Sequence, residues 1–107
     1  MHTKSSLPAP RQRLLEIIQR IAYGKILGLS IVKGEPVLSP PPRIIRDIKL
    51  GAGDNRLGVK LDTVDFELKR EHLDLFEHFQ ALGNGTVESI EVRGGLPFRI
   101  TSVEELV

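Results

Sequence analysis

His72 and His78 are the side chains best suited to acid–base or metal chemistry in this chain, and their spacing argues against a shared metal. Six residues apart, they stand about 240° from each other around a helix, whereas an i, i+4 pair would share one face. His78 lies at the edge of its segment's apolar stripe and reads as solvated, and His2 belongs to the N-terminal tail. His72 falls inside the apolar arc, which leaves it as the one histidine that merits testing as a ligand site. Glu67, Glu71, Asp74 and Glu77 resemble paired carboxylates until placed on the helical wheel, where they line the polar side. Gly51-Ala52-Gly53-Asp54-Asn55-Arg56-Leu57-Gly58 has the glycines of a phosphate loop. It matches neither G-x-G-x-x-G nor a P-loop ending in Gly-Lys-Ser/Thr, so it reads as a loop. Ser5, Ser6, Ser30 and Ser39 have no adjacent His/Asp set and no nucleophile elbow. With no cysteine, thiolate chemistry and disulfides are excluded. The expectation is a non-enzyme with no catalytic residues, no metal and no cofactor.

Charge is more informative. The formal net charge is +1, but residues 1–53 sum to +6 and residues 54–107 to −5. Arg11, Arg13, Arg20, Arg43, Arg46 and Lys49 form the candidate anion-binding set. Such an asymmetry can act within one chain, head to tail between chains, or on an anionic partner. Nucleic acid is the alternative reading. Binders that use a sheet face stack bases on aromatic rings, yet Phe66, Phe76, Phe79 and Phe98 all fall on expected core positions, leaving Tyr23 as the exposed aromatic. The sequence pI of about 8.1 is also low for a basic nucleic-acid module.

The elements that would position these residues come in two copies. A shift of 61 residues carries 14–38 onto 75–99 without a gap. Leu14/Leu75, Glu16/Glu77, Gln19/Gln80, Gly24/Gly85, Gly34/Gly95 and Pro36/Pro97 are identical across it. Residues 1–9 read as a flexible lead-in, with Pro8 and Pro10 opening a helix. From Arg11 to Ala22 the apolar period is 3.6, with Gly24 as the expected C-cap. The period then becomes two, placing Leu27, Leu29 and Ile31 on one face of a strand that turns at Lys33-Gly34-Glu35 into a short partner, Pro36–Leu38. Ser39-Pro40-Pro41-Pro42 is a stiff spacer, and Ile44–Leu50 a fifth strand. A second helix, capped by Asp62, Thr63 or Asp65, runs to Leu82. Asn84-Gly85-Thr86 matches a glycosylation sequon but reads as a turn, followed by strands around Thr86–Arg93 and Leu96–Ser102.

The predicted fold is α+β. It is a two-layer sandwich from a duplicated helix–strand–strand unit, with two helices on one face of a four- to five-stranded antiparallel sheet. Residues 1–107 are read as one domain, with repeats at 11–38 and 72–99 and an inter-repeat segment at 39–64. No stretch approaches the roughly 18 apolar residues of a membrane span and the N-terminus lacks a signal-peptide core, so a soluble, cytoplasmic protein is expected.

Ile21-Ala22-Tyr23-Gly24-Lys25-Ile26, followed by Leu29-Ser30-Ile31-Val32-Lys33-Gly34, resembles the short bacterial YezD-like proteins. Those are an uncharacterised family in which a helix ends in Tyr-Gly before an alternating strand and a glycine turn. The resemblance covers about a quarter of the chain. Relative to that pattern Gly28 is an extra residue, and in the second unit Asn84 replaces Tyr23. The resemblance implies a helix-to-hairpin unit and carries no activity.

The functional expectation is a non-catalytic module that self-associates or docks on a protein partner. Its candidate interface is Phe66, Leu73 and Tyr23, with Phe66 and Leu73 widening the second helix's apolar stripe beyond what one sheet needs.

Overall fold

A computed structural model describes residues 3–48, 50–51 and 67–103. Helix α1 (Ala9–Ile21) leads into β1 (Tyr23–Val32), β2 (Glu35–Val37) and β3 (Arg43–Arg46); helix α2 (Arg70–Leu82) leads into β4 (Gly85–Arg93) and β5 (Leu96–Ser102). All strand pairs are antiparallel in the order β2-β1-β4-β5. Strand β3 extends the β2 edge by pairing with Gly24–Leu27 of β1 while β2 pairs with Ser30–Val32. Two helices on a five-stranded antiparallel sheet make the expected two-layer α+β sandwich. Both helices and both long strands keep the 61-residue shift: α1 and α2 share both bounds, and β2 and β5 share their first residue.

The core lies between the layers. Leu14, Leu15 and Ile18 of α1 and Phe79 of α2 are fully buried against Ile26, Leu29, Val87 and Ile90 of the central strands. Each such side chain contributes about 1.5–3 kcal/mol of burial. The register of the central pair maps onto itself under the shift, since Ile26↔Ile90 becomes Leu29↔Val87. Two backbone bonds repeat the relation. Gly34 N donates to Gly83 O at 2.8 Å, and Gly95 N donates to Ala22 O at 3.0 Å. Each hairpin turn thus ties to the end of the other unit's helix. Both turns have two central residues at positive φ, Lys33-Gly34 and Gly94-Gly95, as a tight right-twisted hairpin requires. A Cβ on Gly34 would lie 2.6 Å from Nε2 of Gln80, and one on Gly95 3.7 Å from Cα of Gln19. The repeated Gly and Gln are therefore contacts between units.

The structure departs from the sequence expectation at six places. The residue leaving α1 is Ala22 at φ 63°, not Gly24, which lies inside β1. Strand β1 buries Ile26, Leu29 and Ile31, while Leu27 turns to the opposite face, because the alternation slips by one residue at Gly28 (φ 70°). Strand β4 slips likewise at Glu88, burying Val87, Ile90 and Val92. Phe98, expected in the core, is 51% exposed, because the register of β5 shifts opposite Glu91/Val92 and Pro97 takes the inward place. The described lead-in is ordered into the fold. Lys4–Ser6 make one 3-10 turn, Lys4 is buried on Glu16, and Thr3 bridges Glu67. Helix α2 starts at Arg70, with Glu67–Lys69 non-helical; the expected caps Asp62, Thr63 and Asp65 lie outside the described residues.

Gly24 is the tightest backbone approach. A Cβ there would collide with the carbonyl oxygen of Ile45 and sit 2.9 Å from the Ile21 side chain. Gly24→Ala should detach β3 at a cost of about 1–3 kcal/mol. Hydrogen exchange should show lost protection at the Asp47 amide, which donates to Tyr23 O, while β1–β4 amides stay protected.

Candidate functional site

Helix α1 turns Leu14, Leu15, Ile18 and Ile21 inward and leaves Arg13, Ile17 and Arg20 along its flank. Pairing with β1 brings β3 beside that flank, and strand alternation points Ile44 and Arg46 toward the helix and Arg43 and Ile45 away. Between them lies an open groove of about 380 Å³. Ile17, Ile21, Leu38 and Ile44 make its apolar surface, with Pro41 and Pro42 at one side. Arg13, Arg20 and Arg46 stand around it. Glu16, the one carboxylate among the described lining residues, already accepts Arg13 Nη1 and Lys4 Nζ, both at 3.2 Å, so this lining is net positive. An apolar surface rimmed by guanidiniums suits an amphipathic ligand bearing carboxylates or phosphates.

Three of the six candidate anion-binding residues, Arg13, Arg20 and Arg46, are brought together here. Arg11 is not among them. Its Nε bonds Glu35 Oε1 at 2.8 Å and its guanidinium lies 5.1 Å from the Phe76 ring centre, a packing role inside the fold. Arg43 faces the other side of the sheet, and Lys49 lies outside the described residues. Of the candidate interface residues, Phe66 also lies outside them. Leu73 is 36% exposed on α2, and Tyr23 is 48% exposed on the helix-free face of the sheet. That face carries a second concavity, of about 420 Å³, bordered by Tyr23, Lys25, Ile45, Asp47, Glu91 and Arg93. The ion pairs Arg11–Glu35, Arg13–Glu16, Arg70–Asp74 and Arg99–Glu91 each stay within one half of the chain. The halves meet in charge where Lys25 of β1 stands opposite Glu91 of β4.

His72, the candidate ligand site, is buried. It is 2% exposed in the first turn of α2, where its Nδ1 accepts the Lys69 amide at 2.9 Å and so satisfies a helix-end donor. Burial lowers its pKa below the ordinary 6.5; Glu71 opposes that shift and Lys69 adds to it. The geometry assigns it to helix capping. His78 is half-buried, with Nε2 3.3 Å from Ser102 Oγ. Among the described residues, no group of three or more His, Asp or Glu is placed to hold a metal, and no helix is long and apolar enough to cross a membrane.

The groove's apolar residues were missed in the sequence. Ile17 and Ile21 read as ordinary core, and nothing local shows that β3 returns beside α1. Phe98 was missed because a bulge leaves no periodicity signal. In comparisons with known proteins, no family model, no curated protein and no solved structure matches this chain.

The His72 contact has a signed pH dependence. The folded state holds the ring neutral, so the unfolded state binds more protons below pH 6.5. This contribution is complete above that value and lost as pH falls toward the lowered folded pKa. Thermal melts between about pH 7.5 and 5 should show Tm falling on acidification. His72→Gln, which keeps an acceptor and cannot titrate, should flatten the profile.

Proposed function

We propose that this chain is a non-catalytic interaction module whose groove between α1 and β3 receives an acidic, apolar protein segment. The convergence of Arg13, Arg20 and Arg46 around Ile17, Leu38 and Ile44 carries the reading. Apolar contact supplies affinity in such a site, and the guanidiniums select against basic partners and speed encounter. A second copy offers a segment of this chemistry. Glu71, Asp74 and Glu77 are exposed on α2 beside half-exposed Leu73. Self-association and docking on a different acidic partner are thus two uses of one surface.

Light scattering tests the first use, and titration with a labelled peptide alternating Glu with Leu and Phe tests the second. Raising salt from about 0.05 to 0.5 M cuts the Debye length from roughly 14 to 4 Å, so assembly or peptide binding should weaken over that range. The triple variant Arg13→Glu, Arg20→Glu, Arg46→Glu should weaken either by about tenfold or more. A chain that stays monomeric at both salt concentrations and ignores the peptide would refute the reading.

A further inference from the structure

Among the described residues two aromatic side chains are half-exposed while Phe76 and Phe79 are buried. Tyr23 lies on the helix-free face of the sheet, and Phe98 at the bulge of edge strand β5, where one side of it also borders α2. They flank one guanidinium. Tyr23 is the cross-strand partner of Arg93, and the Arg93 guanidinium lies 4.2 Å from the centre of the Phe98 ring, with that of Arg99 at 5.7 Å. Tyr23 on β1 and Phe98 on β5 are two strand spacings apart, about 10 Å. The concavity at Tyr23 has the volume of a small-ligand site and a mixed lining. It offers a ring and Ile45 for a flat apolar face, the carboxylates of Asp47 and Glu91 as acceptors, and Lys25 and Arg93 as cations. Register adds Arg43 beside Leu27 and Arg99 beside Glu91 on the same face. On its outer side, Phe98 borders Glu71 and Asp74 of α2, which repel phosphate and leave the sheet side as the open approach.

We infer that this face binds single-stranded nucleic acid, with one base on Tyr23 and another on the Arg93–Phe98 stack. Base stacking on aromatic and guanidinium planes, with nearby cations taking the phosphates, is how open sheets hold unpaired strands. A base's amino and imino hydrogens find acceptors in Asp47 and Glu91. A duplex hides its base planes and cannot use the platform. The open face and the groove between α1 and β3 are separate surfaces that meet at Arg46, which borders both.

The chain has one tyrosine and no tryptophan, so its intrinsic emission reports on Tyr23 alone. The experiment titrates the protein with 12-residue oligo(U) and oligo(dT) at about 50 mM salt. It follows tyrosine quenching together with the anisotropy of a 5′-labelled strand. Saturable binding with quenching is expected. Phe98→Leu and Tyr23→Leu keep apolar bulk while removing the ring, and each should weaken binding about tenfold or more. Arg93→Ala should also reduce the salt slope by about 0.7 for a lost phosphate contact. The double variant Arg13→Glu, Arg20→Glu on α1, which leaves Arg46 in place, should bind as the wild type does. Three results would overturn the inference: no strand binding at low salt, binding that survives both Leu variants, or equal affinity for duplex. Loss in that α1 double variant alone would assign the anion to α1. A dimer that Phe98→Leu dissociates, in a chain that ignores nucleic acid, would make the face a protein interface.

Discussion

The antiparallel pairing of β1 with β4 is the contact on which every other part of this molecule leans. It joins residues about 60 apart in sequence and places Ile26, Leu29, Ile31, Val87, Ile90 and Val92 in one buried layer. Neither helix has a complete apolar partner without it, since α1 and α2 share a single core cluster. The turn glycines then close the arrangement from both ends, each bonding to the carbonyl that ends the other unit's helix. Neither unit buries its own apolar face alone, so the two are expected to fold together.

The two units differ where the return strand runs. In the second, β5 follows β4 over seven residues. In the first, Ser39–Pro42 interrupts the path, and the chain rejoins β1 only at Arg43. Proline offers no amide to a ladder, which is why the break falls there. The interruption opens space between α1 and the sheet edge, and the groove occupies it. The same basic residues on an uninterrupted strand would have lacked an apolar cleft to surround.

The two faces of the sheet offer different chemistry for a related reason. Helices cover one side, with Phe76 and Phe79 of α2 buried against it, while the other side keeps half-exposed Tyr23 among Lys25 and Arg93, with Phe98 at its β5 edge beside Arg93 and Arg99. The slips at Gly28 and Glu88 turn Leu27 and Ser89 to this open face at its centre. The acidic residues on α2 lie on the opposite layer and at one edge, so the charge asymmetry of the chain becomes a spatial one.

Much of the architecture was legible from the residues alone, because it rests on short-range periodicity. The change from a 3.6 to a 2.0 apolar repeat marks each helix-to-strand transition, glycine pairs mark each hairpin, and the 61-residue shift shows that both halves share one plan. Extra residue Gly28 was visible as well. The site was legible only as composition: the arginines could be named, but not which three would meet. That depends on β3 returning beside α1, on Arg11 being taken by Glu35 and Phe76, and on Arg43 falling one residue out of phase with Ile44. Phe98 was misplaced for the same reason, since a bulge reverses a side chain without altering the local pattern. Register and strand order are contacts between distant residues, so only the assembled sheet determines which side chains face the groove, the core or the open face.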